Sequence, residues 1–388
     1  CKRRKSVAGK RRLKRFYDIS LVVMVFSITL FGLLMLYSAS SYTAERDNLG
    51  EMFYLKRQAF FAGFGFLVML FTSRFIDYHI FAKLNLVIYA IAAVAVIVTS
   101  LIGVASHGSN RWIVIFGVRF QPSELMKPAI IILFATLLTH KGRKLDGFVP
   151  MLKAAAWALV PAAIIAYTNL STAMIVAGIA AFMLFVAVKS YKYHLMLLGG
   201  GIAAYLGAYP LSLLLQKMKV LHGYQITRIL AWKDPSSYED ETFQTLQGLY
   251  AIGSGGIFGR GLGESIQKFI MPESQNDMIF TIICEELGFV GGLGVMLVYA
   301  LILFRLYEIA KNARDLFGSL LVIGVMSHIA LQAILNIAVA TNSIPNTGIT
   351  LPFISYGGTS LVILLAEIGI CLNVSYQTTL DESISSEK

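Results

Sequence analysis

The residues best suited to chemistry in this chain are acids placed where charge is costly. In Pro272–Phe280, PESQNDMIF, a polar stretch ends in Asp277 and an apolar run begins at once, carrying Glu285 and Glu286. On a continuous helix Asp277, Thr281 and Glu285 share one face at i, i+4 and i+8. Asp277 and Glu285 are then about 12 Å apart along the axis. A carboxylate at that edge can act as a general base towards an alcohol, or it can complement the positive end of a helix. Acids inside a membrane are functional by default, and the residues alone leave both roles open for Asp277. Glu286 fits a salt bridge inside a bundle better than it fits catalysis.

A second cluster lies at 108–128, GSNRWIVIFGVRFQPSELMKP. Gln121-Pro122-Ser123-Glu124 reads as a helix start, with Pro122 at the first helical position and Glu124 at the third. Glu124 and Lys127 then meet on one face, so a cap and a local ion pair explain the spacing. They explain Arg111 and Trp112 less well, although Trp112 also suits an interface anchor. YAIGSGGIFGRGLGES (250–265) carries six glycines between charged neighbours. It lacks the GK[ST] and the strand–helix context of a phosphate loop, which excludes a nucleotide site. Its amides suit an anion flanked by Arg260 and Lys268, or its glycines serve tight turns. In PNTGITLPFISYGGTS (345–360), Gly357-Gly358 at a helix start offers amides to a phosphate, or the loop is purely structural. The six histidines are scattered, so no protein-built metal cage is expected.

The elements that must position these groups are membrane helices. Of 388 residues 56% are hydrophobic and 14% charged, against a soluble norm of roughly 45–50% and 25%. The excess falls in runs of bilayer-spanning length. The expected fold is all-α and polytopic, with ten spans near 17–40, 58–75, 81–103, 123–139, 151–167, 170–188, 193–214, 278–305, 317–341 and 356–376. A basic cytoplasmic tail (1–16) precedes the membrane domain (17–377), and a short polar cytoplasmic tail (378–388), expected to be disordered, follows it. Net charge is +11, but the basic residues flank spans at 2–15, 140–144 and 189–192. That is the mark of a cytoplasmic side, not of nucleic-acid binding. The loop 215–277, between the seventh and eighth spans, then lies outside. It is too long and too apolar to be idle, and is expected to pack as short or re-entrant helices. Cys284 and Cys371 lie in apolar runs and are expected to pack as small hydrophobes. One carboxylate, several cations and a glycine loop thus share one face of the membrane, which suits an anionic, lipid-linked substrate.

The chain resembles the SEDS proteins, the FtsW/RodA/SpoVE group of bacterial peptidoglycan polymerases, and most closely the FtsW/SpoVE branch. The motifs that carry the resemblance are RWI (111–113), QPSELMK (121–127), LYAIGSGGIFGRGLGES (249–265), PESQNDMIF (272–280) with EELGFVGG (285–292), and GITLPFISYGGTSL (348–361). The resemblance implies a ten-span enzyme of the bacterial cytoplasmic membrane, both termini cytoplasmic, that polymerises lipid II at the outer face. Its partners would be a class B penicillin-binding protein and other division proteins. The family's essential acid falls on Asp277, its cavity residues on Glu124 and Lys127, and its Trp on Trp112. The expected substrate-contacting set is Trp112, Arg111, Glu124, Lys127, Arg260, Lys268, Glu273, Ser355, Gly357 and Gly358. The chemistry implied is inverting glycosyl transfer, with Asp277 as base and with cations, or Mg²⁺ or Mn²⁺ held mainly by the substrate pyrophosphate, stabilising the leaving group. Two positions depart from the family pattern. Asn169 in YTNLSTA replaces an acid, and Ser274-Gln275-Asn276 replaces A-H-T before Asp277. The alternatives are a proton-coupled lipid II flippase using Asp277 and Glu285, and a scaffold for a penicillin-binding protein.

Overall fold

The computed structural model describes residues 17–102, 118–145, 147–188, 224–233 and 237–380, together with 14–15, 104–106, 109–115 and short helical pieces between 192 and 210. The helices are α1 (Ile19–Arg46), α2 (Phe53–Phe75), α3 (His79–Ile102), α4 (Ser123–Lys141), α5 (Phe148–Thr168), α6 (Leu170–Ala187), α7 (Tyr224–Lys233), α8 (Glu239–Gly255), α9 (Ile279–Lys311), α10 (Leu316–Ala340) and α11 (Gly358–Gln377). Among the described residues nine of them, α1–α6 and α9–α11, are long and apolar enough to cross a membrane. Three of them, α1, α6 and α10, start where side chains satisfy the first free amides. Asp18 accepts from Leu21 N at 2.9 Å, Asp315 from Gly318 N at 2.8 Å and Asn169 from Thr172 N at 3.2 Å. Asn169, at the position that departs from the family's acid, is therefore a helix cap.

Burial ranks the spans. Two thirds of the apolar window of α4 is inside the bundle (67%), as is 61% in α10 and in α11, but only 17% in α3. The central helices α4, α10 and α11 carry the polar candidates, while α3 presents Leu86, Ile91 and Leu101 outward. Cys284 and Cys371 are buried and unpaired, as their apolar surroundings implied.

Contacts sort the helix ends onto two sides. Asp18 binds Arg305, Tyr78 N binds Asn373, and His79 meets Asp315, so these ends share one side. Lys14 and Arg15 (β1) pair antiparallel with Leu380 and Thr379 (β5) there as well. The turn at Asp277 meets α8 and the 342–357 loop on the other side. The chain leaves α6 on the first side and reaches α8 on the second. Half of the span expected between them, 193–214, lies outside the described residues, as do most of the N-terminal tail and residues 381–388.

Two features depart from the expected all-helical layout. The loop after α3 contains strands β2 (Val104–Ser106), β3 (Ser109–Ile115) and β4 (Val118–Phe120) in one antiparallel sheet. Ile113 faces Phe120 and Ile115 faces Val118 across the β3–β4 pair. The β-branched run Ile113-Val114-Ile115, followed by a short return through VRF, favours a hairpin over a coil.

The second departure is a break in α9 at Gly288, with φ 70° and ψ −168°. The glycine segment docks on that break. Arg260 N and Gly261 N donate to Glu285 O and Glu286 O at 3.0 Å each, and Phe289 N donates to Gly256 O at 2.9 Å. A Cβ on Gly259 would fall 2.2 Å from Glu286 O, and one on Gly288 would fall 2.3 Å from Gly259 N. Both also have positive φ, so only glycine fits at either place. The contact lies about 10 Å along α9 from its start. Ile257, Phe258 and Leu262 point outward beside it, so this is a re-entrant segment with an apolar tip.

Candidate functional site

Asp277 lies in the turn before α9, not on it. Met278 is the cap residue and the helix starts at Ile279. The carboxyl is 9% exposed. Its Oδ1 accepts from Gln244 Nε2 of α8 at 3.4 Å, and its Oδ2 lies 3.7 Å from where a Cβ on Gly348 would be. Removal from water pushes this carboxyl up to about 6, against the pull of its own amide, the Arg228 guanidinium and Gln244. At neutral pH it is ionised and basic enough to accept a proton.

Residues far away in sequence hold the turn in place. Asn336 Nδ2 on α10 donates to Asp277 O at 2.7 Å and to Ile349 O at 2.6 Å. Gln244 Nε2 also reaches Pro272 O at 3.1 Å, and Asn346 Nδ2 reaches Gln244 Oε1 at 3.1 Å. Arg228 Nη1 donates to Asn346 O at 3.0 Å, and Trp232 Nε1 donates to Asn342 O at 3.0 Å. Tyr356 N donates to Gln275 O at 3.0 Å and Ser274 Oγ to Ala39 O at 3.3 Å. A polar turn between apolar runs keeps its backbone groups bonded this way, and the carboxyl is left with one long side-chain hydrogen bond, from Gln244.

The expected common face of Asp277, Thr281 and Glu285 does not form. Asp277 precedes the first helical turn, so it is outside the helix's angular register, and Thr281 Oγ1 donates to Met278 O at 2.7 Å. Glu285 turns instead to the re-entrant segment, accepting from Ser265 Oγ at 2.5 Å, Ile266 N at 3.0 Å and Gln267 N at 3.3 Å. Glu286 makes the expected salt bridge, with Lys268 Nζ at 3.7 Å, and accepts from Ser38 Oγ at 2.5 Å.

The pair read from QPSELMK is present, with one shift. Pro122 is the cap and Ser123 the first helical residue, so Glu124 is second, not third. Glu124 Oε1 lies 2.8 Å from Lys127 Nζ, and both side chains are buried. Ser360 Oγ of α11 donates to Glu124 Oε2 at 2.7 Å. Lys127 Nζ also donates to Gln332 Oε1 at 3.2 Å. Gln332 Nε2 in turn reaches Thr350 O at 3.0 Å. Gln332 and Asn336 sit one turn apart on α10, about 6 Å along its axis. One helix face thus holds both the lysine and the backbone of Asp277.

The other expected contacts divide. Trp112 is half-buried in β3; Arg111 precedes it, and its side chain lies outside the described residues. Glu273 is exposed on the Asp277 turn and accepts from Asn276 Nδ2 at 2.9 Å. Ser355 Oγ receives Leu351 N–H at 2.7 Å, and Gly357 N donates to Gln58 Oε1 at 3.2 Å. Gly358 opens α11. Lys268 Nζ is turned inward onto Gly263 O at 2.5 Å, whereas the Arg260 side chain is exposed.

Comparison with known proteins identifies the kind of bundle that holds these residues. The FtsW/RodA/SpoVE model, described as a cell cycle protein, covers residues 19–380. The chain belongs to this family. This FtsW/RodA/SpoVE protein is 39% identical over 369 residues to stage V sporulation protein E of Bacillus subtilis, spanning 92% of this chain and 96% of that one. It is 36% identical over 370 residues, with the same coverage, to a probable peptidoglycan glycosyltransferase FtsW of Geobacter sp. strain M18. A solved chain from work on structural coordination of polymerization and crosslinking by a peptidoglycan synthase complex superposes with a TM-score of 0.75. That chain is 25% identical, with 92% of this chain and 97% of that chain covered.

Sequence reasoning missed several residues that shape the site of this family member. Arg228, Gln244, Gln332, Asn336 and Asn346 stand far apart in the chain, and apart from Arg228 they are neutral. The one signal available was the i, i+4 spacing of Gln332 and Asn336 inside an otherwise apolar run.

Proposed function

We propose that this chain is a peptidoglycan glycosyltransferase that polymerises lipid II into glycan strands at the outer face of the bacterial cytoplasmic membrane, during cell division or sporulation. The observation that carries the reading is Asp277, a buried carboxyl pushed up to about 6 by desolvation at the mouth of the bundle. The similarity to relatives bearing that activity supports it. The multi-pass bundle would sit with its basic ends, around His140–Lys144 and Lys311–Arg314, in the cytoplasm and the Asp277 turn outside.

In the reaction the acceptor sugar's 4-hydroxyl oxygen bonds to the donor's anomeric carbon with inversion. The bond from that carbon to the pyrophosphate oxygen breaks, and Asp277 takes the hydroxyl proton, which is worth roughly 10²–10⁴-fold. Lys127, oriented by Glu124 and Gln332, supplies positive charge towards the departing pyrophosphate. Arg228 and exposed Arg260 add to the cationic surroundings. A divalent cation would be carried mainly by the phosphates: among the described residues no three acids, histidines or cysteines converge as a cage. When bound it would neutralise charge on the leaving group. Class B penicillin-binding proteins, which crosslink strands, are the partner class that suits such a polymerase. The flippase alternative needs Asp277 and Glu285 in one proton path, and the two carboxyls face different elements.

The test is strand synthesis on lipid II by the purified chain, with and without a cognate penicillin-binding protein. Folded Asp277→Asn should make no strands. Normal synthesis by that variant would remove Asp277 as the base.

A further inference from the structure

Deeper than any group used in that reaction lies a second charged pair. His328 Nδ1 and Glu367 Oε2 are 2.8 Å apart, and each residue is 1% exposed. His328 is at the midpoint of α10, twelve residues from either end (316 to 328, 328 to 340). Its Nε2 lies 3.0 Å from Gln332 Oε1, the oxygen that also accepts from Lys127. Six side chains on three helices therefore form one hydrogen-bonded chain. Ser360 and Glu367 come from α11, Glu124 and Lys127 from α4, and His328 and Gln332 from α10.

The proton count of this chain follows from donor chemistry. Thr350 O is a carbonyl and only accepts, so the Gln332 amide nitrogen faces it. Gln332 Oε1 is then an acceptor, and His328 Nε2 must carry its proton. His328 Nδ1 and Glu367 share one further proton. Whichever of them holds it, the pair is neutral as a whole, which makes its burial tolerable. The consequence is directional. With Nε2–H always a donor, Gln332 cannot flip, and its oxygen stays fixed towards the Lys127 ammonium.

We propose that His328 and Glu367 are positioning residues: by sharing one proton at mid-membrane they lock Gln332 as the acceptor that holds Lys127 for the pyrophosphate of the lipid-linked substrate. This rests on the polymerase reading for the substrate's identity. The bland account is a polar staple between α10 and α11 that matters to stability alone.

A double-mutant cycle on the full purified chain separates the two accounts. The probe is undecaprenyl pyrophosphate, with its Kd measured directly beside strand synthesis from lipid II. His328→Leu/Glu367→Leu removes the pair together and leaves no unpaired charge. Glu367→Gln keeps a hydrogen bond to the imidazole. The double variant, folded with an unchanged melting temperature, should bind the probe about tenfold more weakly and make strands about tenfold more slowly. Glu367→Gln should stay within about threefold of the parent in both. In a Lys127→Met background the Leu/Leu change should do nothing further to the Kd. An equal loss in both backgrounds, or no loss in either, overturns the proposal. Coupled binding without strand synthesis by the parent chain would instead overturn the polymerase reading and leave the positioning role standing.

Discussion

Asp277 and the acids at the basic end of the bundle are held in opposite ways. On the basic side Asp315 accepts from Tyr78 OH, from Gly318 N at 2.8 Å and from His79 Nε2 at 3.1 Å. Asp77 accepts from His79 N, His79 Nδ1 and Gln377 Nε2 at 3.0, 2.7 and 3.1 Å. Desolvation acts to raise both, but these donors outweigh it and hold both acids below the ordinary carboxylate range. Asp18, with Leu21 N and two bonds from Arg305, is bound as tightly. On the opposite side Asp277 is desolvated too, yet among the described residues its side-chain donor is Gln244 at 3.4 Å. Burial alone does not make an acid reactive. What distinguishes Asp277 is burial with too few donors, which leaves it basic.

The linkage signs differ accordingly. The stability contributed by Asp315 and Asp77 is present above the unfolded carboxylate pKa and is lost as pH falls from there through the depressed folded pKa. Asp277, raised in the folded state to about 6, adds nothing unfavourable below the unfolded pKa, weighs against folding increasingly as pH rises from there to about 6, and above that its cost is constant.

Four substitutions sharpen this contrast. Asp277→Asn should cut strand synthesis by about 10²–10⁴-fold. It should also raise unfolding stability at pH 7 by about 1–3 kcal/mol, at roughly 1.4 kcal/mol per pKa unit, read by denaturation in detergent. Glu124→Gln with Lys127→Met removes both charges of the buried pair together, so the fold should stand. Synthesis should drop about 10²-fold, the scale of one preorganised charge. Asp315→Asn should behave in reverse, losing about 2 kcal/mol of stability with an unchanged rate per folded molecule. Gln244→Met, the smallest change, should move the acid limb of the pH–rate curve up by about half a unit, because Gln244 favours the ionised form.

The spans were legible because twenty apolar residues have few other uses, and the Glu124–Lys127 pair because i, i+3 spacing on a helix is local geometry. Asp277 stood out by its contrast with the run that follows it. What sequence could not supply was direction. The shared face of Asp277 and Glu285 assumed a helix one residue too early, where Met278 caps it instead. The Asp277 clamp joins positions 228, 244, 336 and 346, which only tertiary packing brings together, and the break in α9 needs the glycines at 259 and 288 together. The β2–β4 sheet had a signal in the β-branched run Ile113-Val114-Ile115, but one short run does not declare its partner strands.

The most direct test of the central claim is the pH dependence of strand synthesis by the purified chain on lipid II. The rate should rise with pH through an acid limb near 6 and level off above it, and the limb should be absent in any residual activity of Asp277→Asn. A flat profile from pH 5 to 8, or the same limb in that variant, would contradict the assignment of Asp277 as the base.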